Sequence, residues 1–186
     1  MLRKNPTGYY PNVSEKAFID PTAIVCGHVI IEDNVFVGPY AVIRADEVDE
    51  SGSMQPIIIQ QGSNIQDSVV IHSKAGAAVS IGARTSIAHR SIVHGPCNIG
   101  HDVFIGFNTV VFRTTIGNGC VIRHNCVVDG IDLPESYHVP PMMNMGPGFD
   151  LDSIEKVSPE YASFSESVVS ANHTLVEGYK RLANEL

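Results

Sequence analysis

The imidazoles of His72, His89 and His94 are the groups on this 186-residue chain whose spacing carries chemistry. His72 directly follows Ile71 and His94 directly follows Val93, so both hold one phase of a six-residue series of Ile and Val. His89 stands two residues after Ile87, in another phase. Neutral imidazoles are ligands for a divalent metal, and three of them around an ion with an open fourth position make a catalytic centre. Outward histidines are also commonly plain solvated residues, and the chain has eight.

The elements that would position these rings follow from the series itself. It runs through Ile19, Val25, Ile31, Val37 and Ile43, then Ile59, Ile65 and Ile71, then Ile81, Ile87, Val93, Ile99, Ile105 and Val111, and ends with Ile116, Ile122 and Val128. Small residues recur four positions later, among them Ala23, Ala41, Ser63, Thr85, Ser91, Cys97, Thr109, Cys120 and Cys126. Such a period fits neither an amphipathic helix nor a lone alternating strand. It predicts a parallel β-helix, mainly β, whose short strands stack coil upon coil.

Within that coil, His72 and His94 are 22 residues apart, three hexapeptides plus a four-residue loop. They therefore stack on one face, one rung or about 4.8 Å apart, a spacing that one ion can bridge. His89 projects across a prism corner and cannot easily reach the same ion. If prisms pack side by side about a threefold axis, His89 of one copy approaches the pair on its neighbour. His101 and His124 share the phase of His89, but His101 falls on another face and His124 two coils away.

One coil further on, the same walk puts Phe107 in the phase of His89 and Phe112 in the phase of His94, as candidate walls of an apolar pocket. Two interruptions break the series: residues 45–56, carrying Asp46, Glu47, Asp49 and Glu50, and a short excess near Lys74 to Ala78. Inserted loops of a solenoid gather on functional faces.

Four regions are expected: an N-terminal arm (1–17), the β-helix (18–139), a Pro- and Gly-rich connector without regular structure (140–158), and a C-terminal helix (159–186) packed on the β-helix. Ser158 is a plausible N-cap and Pro159 a first helical position, with Phe164, Val168, Leu175, Tyr179 and Leu182 as the apolar stripe. A helix there would also cap the open edge of the last coil.

A net charge of −8 with only 12 Lys and Arg argues against a nucleic-acid or membrane-surface partner. No apolar stretch follows the N-terminal cations, so a cytoplasmic protein is expected. The four cysteines have no CxxC spacing, and buried core thiols are the reading.

The segments Ile43-Arg44-Ala-Asp46-Glu47, Ser63-Asn64-Ile-Gln66-Asp67 through His72, Ala88-His89 through His94-Gly-Pro96, and Asn172 through Lys180 resemble gamma-class carbonic anhydrases. The likeness runs in order from about residue 18 to residue 181. It implies a left-handed β-helix of hexapeptide repeats, with His72 and His94 binding the metal from one subunit of a homotrimer and His89 from the next.

By the same resemblance, Gln66 hydrogen-bonds the activated water, Asn64 supports Gln66, Asn172 orients carbon dioxide or bicarbonate, and Glu47 moves protons. Arg44 and Asp67 match residues that pair between subunits. The implied reaction is hydration of carbon dioxide by a metal-activated hydroxide. Zinc is the expected metal, with iron or cobalt also suited to imidazole ligands.

The stretch Ser73-Lys-Ala75-Gly-Ala departs from the acidic-loop type of the family, which carries a glutamate shuttle at the position of Ala75. Proton relay then falls to Glu47, Asp46 or the pair Asp49 and Glu50. Other activities remain open for the fold: an acyltransferase using one histidine as base, a metal-dependent thioesterase acting on acyl-coenzyme A, or a non-catalytic assembly subunit.

Overall fold

The computed structural model describes residues 1–185 and is a left-handed parallel β-helix of ~7 coils with one long helix along its side. Each coil turns through three short strands, and the strands pair in parallel with their equivalents one coil away.

The first face stacks Ile24–Gly27, Val42–Ala45, Val70–Ser73 and the opening halves of Ile92–Ile99 and Val110–Ile116, followed by Val127–Asp129. The second stacks Val29–Ile31, Ile57–Ile59, Val79–Ile81 and the closing halves of those two long strands. The third stacks Phe18–Ile19, Phe36–Val37, Asn64–Ile65, Ser86–Ile87, Phe104–Ile105, Val121–Ile122 and His138–Val139.

The aliphatic series forms the core. From Val25 to Val128 each of its members is buried, in one continuous column with the small residues between. Burying each such side chain is worth about 1.5–3 kcal/mol. Hydroxyls among the small residues are satisfied by carbonyls of the next coil: Ser63 Oγ donates to Gly82 O at 2.8 Å and Ser91 Oγ to Gly106 O at 2.7 Å.

At one corner the chain repeats a left-handed residue. Ser68, Arg90, Asn108, Asn125 and Met142 have φ between 56 and 64°. An L residue pays about 1–2 kcal/mol there, and each of these corners is stitched in return to the coil before it. Arg90 N donates to Asp67 O at 3.0 Å and Asn108 N to His89 O at 3.1 Å. The corner carrying His89 is thereby held at a fixed height on the prism.

Stacking extends beyond residues 18–139 at both ends. Leu2–Arg3 pairs with Ile24–Gly27, and Asn12–Val13 pairs with Val29–Ile31. In the proline-rich segment, Asn144–Met145 pairs with Val127–Asp129 and Met145 is fully buried. The expectation of no regular structure between residues 140 and 158 therefore fails: a strand of two residues fits between Pro141 and Pro147 without needing their missing amides.

Ile154 joins the buried core at the last coil, and Phe149 and Leu151 pack against the same core. The segment read as a connector is the cap. The helix, α1 (Pro159–Glu185), instead runs along the third face across Val121–Ile122, Ser86–Ile87, Phe36–Val37 and Phe18–Ile19. The Ser158 hydroxyl accepts from Tyr161 N at 3.3 Å, as a cap should.

The inward side of α1 is Ser165, Val169, Asn172 and Val176, all buried, while Phe164, Leu175, Tyr179 and Leu182 are exposed. Members of the larger apolar stripe still touch the third face while leaving an edge in solvent: Phe164 meets Phe104 edge to face at 5.1 Å, Tyr179 stacks on Phe18 at 4.7 Å, and Val168 packs beside Phe104 and Val121. No helix among the described residues is long and apolar enough to cross a membrane.

Candidate metal centre

The parallel register pairs Ile71 with Val93 and His72 with His94, so inward aliphatics force the two imidazoles outward on adjacent rungs. His72 Nδ1 and His94 Nε2 face each other at 3.3 Å. Two nitrogens each about 2.0–2.1 Å from a tetrahedral zinc ion lie about 3.3–3.4 Å apart, so the pair has the spacing of two ligands to one ion. His72 is buried, and its ring meets that of His94 edge to face at 5.1 Å between centroids.

The outer nitrogens are also engaged. His72 Nε2 lies 3.3 Å from Asp46 Oδ1 and 3.5 Å from Glu47 Oε1. His94 Nδ1 lies 3.2 Å from the carbonyl of Gly95. Both outer partners are acceptors, an arrangement that favours the proton on each outer nitrogen and, with an ion between the rings, a lone pair on each inner one. Two facing lone pairs repel unless a cation lies between them.

Gly95 must lack a side chain, since a Cβ there would sit 2.8 Å from Val79 Cγ2 and 3.0 Å from Ala78 O. Phe112 follows His94 in the register, its ring 5.2 Å from that of His94, under the Arg113 guanidinium.

His89 belongs to a different place. It projects from a corner of the third face, half-exposed, with Nδ1 3.5 Å from Asp67 Oδ2 and its ring 5.3 Å from Phe107. Phe107 stacks in turn on His124 at 4.3 Å. Gln66, Asn172 and His89 line two open clefts together, one walled by Phe107 and Phe164, the other by Leu175 and Tyr179. Neither cleft includes His72 or His94. Among the described residues no group of three or more His, Cys, Asp or Glu side chains is placed to hold a metal within the one chain.

A buried chain of amides orders the His89 cleft. Asn64 Nδ2 donates to Ser86 Oγ at 2.7 Å, and Gln66 Nε2 donates to Asn64 Oδ1 at 2.9 Å. Among the described residues, Gln66 Oε1 is the free end of this chain. Asn172 Nδ2 donates to Val168 O at 2.9 Å within α1, which orients its amide in the same way.

Arg44 occupies the rung before His72 and binds Asp46 through Nη1 at 2.7 Å. Glu47 is half-exposed and its Oε2 accepts from Ala75 N at 3.2 Å, so the position lacking an acid touches the nearest acid. Asp49 is committed to its own turn: bonds from the Ser51 hydroxyl and the Ser53 amide hold its carboxyl below the usual range.

Sequence reasoning missed Asp46 and the Gly95 carbonyl as partners of the histidine pair, and Ser86 as the anchor of Asn64. Only Ser86 had a signal, because it precedes Ile87 as Asn64 precedes Ile65.

Fold and site together define a hexapeptide-repeat β-helix that carries separate histidine groups on a face and on a corner. Models of bacterial transferase hexapeptides (six repeats) and of the hexapeptide repeat of succinyl-transferase match residues 10–45 and 96–130. The chain is 36% identical over 95% of its length to a carbonic anhydrase of Methanosarcina thermophila, covering 77% of that protein. It belongs to the gamma-class carbonic anhydrase family.

A carboxysome assembly protein, CcmM of Nostoc, is 32% identical over 90% of the chain, which spans 31% of that longer protein. A solved structure of a hexapeptide transferase family protein from Anaplasma phagocytophilum superposes with a TM-score of 0.78 over 96% of this chain and 98% of that one, at 22% identity, a likeness of fold.

Proposed function

We propose that the protein is a carbonic anhydrase, hydrating carbon dioxide reversibly at a metal held between copies of a homotrimer. The observation that carries this reading is the His72–His94 pair, whose facing nitrogens at 3.3 Å have the separation of two zinc ligands and whose outer nitrogens are already occupied. His89 of a second copy would supply the third ligand, with zinc, iron or cobalt as the ion.

Support for a second copy comes from the surfaces around both groups. Beside His72 and His94 on the first face, Val70, Ile92, Val110 and Val127 stack as an outward apolar ladder, and Val70, Ile92 and Val127 are exposed. Around His89 stand the exposed rings of Phe107, Phe164 and Tyr179 with Leu175. Each apolar patch borders one part of the ligand set, as two halves of one interface would. Arg44 and Asp67 then lie at the edges of the two halves, placed to pair across it.

A divalent ion in such a site lowers the pKa of water to roughly 7 and so supplies hydroxide at neutral pH. The chain's own groups do the rest. Gln66 Oε1, the free end of the amide chain, is the acceptor that would orient a water at that ion. Asn172 holds the substrate oxygens, and Phe107 and Phe112 keep the carbon dioxide side apolar. Glu47, exposed beside His72, carries the released proton to buffer.

Purified protein is expected to contain one metal ion per chain, to hydrate carbon dioxide, and to sediment as a trimer. His72→Ala and His89→Ala proteins are each expected to be inactive alone, and to regain activity when co-expressed, because a mixed trimer rebuilds an intact site from the two unmutated halves. Inactive mixtures, or a wild type that turns over acyl-coenzyme A without metal, would overturn the reading. A metal-free wild type that binds partner proteins would favour an assembly role.

A further inference from the structure

The two carboxylates beside His72 are adjacent in sequence yet differ in setting. Asp46 is mostly buried, with its side chain 13% exposed, and Arg44 Nη1 holds its Oδ2 at 2.7 Å while its Oδ1 faces His72 Nε2 at 3.3 Å. The Glu47 side chain is 48% exposed and is held by a single backbone amide. A carboxylate fixed by a guanidinium cannot swing between ring and solvent, and one held by a single amide can.

We propose that Asp46 is a positioning residue: clamped by Arg44, it keeps the His72 proton on Nε2 and so leaves Nδ1 bare toward His94 and the metal. The proposal rests on the metal reading above and divides the two acids by task, with Asp46 setting the tautomer and Glu47 moving protons. The Gly95 carbonyl does for His94 Nδ1 what Asp46 does for His72 Nε2, so each of the two ligands is oriented by an acceptor on its far side. An acceptor there also raises the basicity of the coordinating nitrogen, which strengthens the bond to the ion.

The test uses the full-length protein with nitrogen-15 in its histidines. In zinc-loaded wild type, the ring shifts are expected to show His72 bound through Nδ1 with its proton on Nε2, and His94 bound through Nε2 with its proton on Nδ1. Asp46→Asn is expected to weaken zinc binding, measured by competition with a chromophoric chelator, by about 10–100-fold, with the sedimentation coefficient of wild type. Glu47→Gln is expected to keep wild-type zinc affinity and to slow turnover most in dilute buffer.

Zinc-loaded wild type with its His72 proton on Nδ1 overturns the proposal without recourse to any variant. So does an Asp46→Asn protein that assembles and binds zinc as wild type does, which would leave Asp46 serving only the pairing of Arg44. A wild type that takes up no zinc overturns the metal reading itself, and the two failures are thus told apart.

Discussion

At the scale of single residues the site is a matter of which atoms are already spoken for. Asn64 is fully buried and joins Ser86 to Gln66, so truncating it strands a hydroxyl and an amide away from water. A buried unsatisfied group costs about 1–3 kcal/mol. Asn64→Ala is therefore expected to lower Tm by roughly 2–10 °C for a chain of this size, in a calorimetric scan, and to lower kcat because Gln66 loses its anchor. An unchanged Tm would show that water replaces the amide.

The histidine pairing was legible at this scale because a six-residue phase converts directly into register. The acceptors behind the two rings were not. Asp46 reaches His72 from a loop outside the repeat, and the Gly95 carbonyl is a backbone group that no residue type announces.

Among the elements, α1 is the one whose docking is expected to answer to pH. His138 stacks on Tyr161 at 4.1 Å and its Nε2 is buried without a partner among the described residues, while His124 lies under Phe104 and Phe107. Burial first, and then the Arg123 cation, push both imidazoles below the ordinary histidine value, with Glu155 opposing at His138. Arg123 itself packs over Tyr161 and Phe164 of α1.

A depressed folded-state pKa means that the neutral form is favoured by folding. This contribution is complete above the unfolded-state value and is lost as pH falls through it toward the folded one. Amide hydrogen exchange in residues 159–168 is expected to quicken as pH drops below about 6.5, after correction for the intrinsic rate, and His138→Phe is expected to blunt the change. Equal protection across that range would count against it.

The helix also shows what a pattern cannot decide. Its existence and its Ser158 cap follow from spacing and residue type, but which side packs inward depends on the surface it meets. Ser165 and Asn172 take the buried line, whereas Phe164 and Tyr179 lay one side on Phe104 and Phe18 and leave the other in solvent. The cap at residues 149–154 escaped for a related reason: proline and glycine mark the turns, and a two-residue strand leaves no period to detect.

At the scale of the molecule, the apolar ladder of the first face and the rings around His89 call for company. Ile92→Lys places a charge in the middle of that ladder, on a strand whose inward neighbours are untouched. A folded monomer with no retained metal is expected, by sedimentation and metal analysis together. A metal-loaded monomer would sink the shared-site reading, whereas an unfolded product would call for the milder Ile92→Ser.

The face with His72 and His94 and the corner with His89 are different surfaces of one chain, so on the shared-site reading contact between copies would be head to tail. Such contact either closes into a ring or runs on without end. On the shared-site reading, a ring completes as many sites as it has chains, while an open pair completes one and leaves two unmatched halves. The metal-to-chain ratio, read with the sedimentation coefficient, is then a measure of symmetry: one per chain in a particle of a few chains reports closure, and one half reports an open dimer.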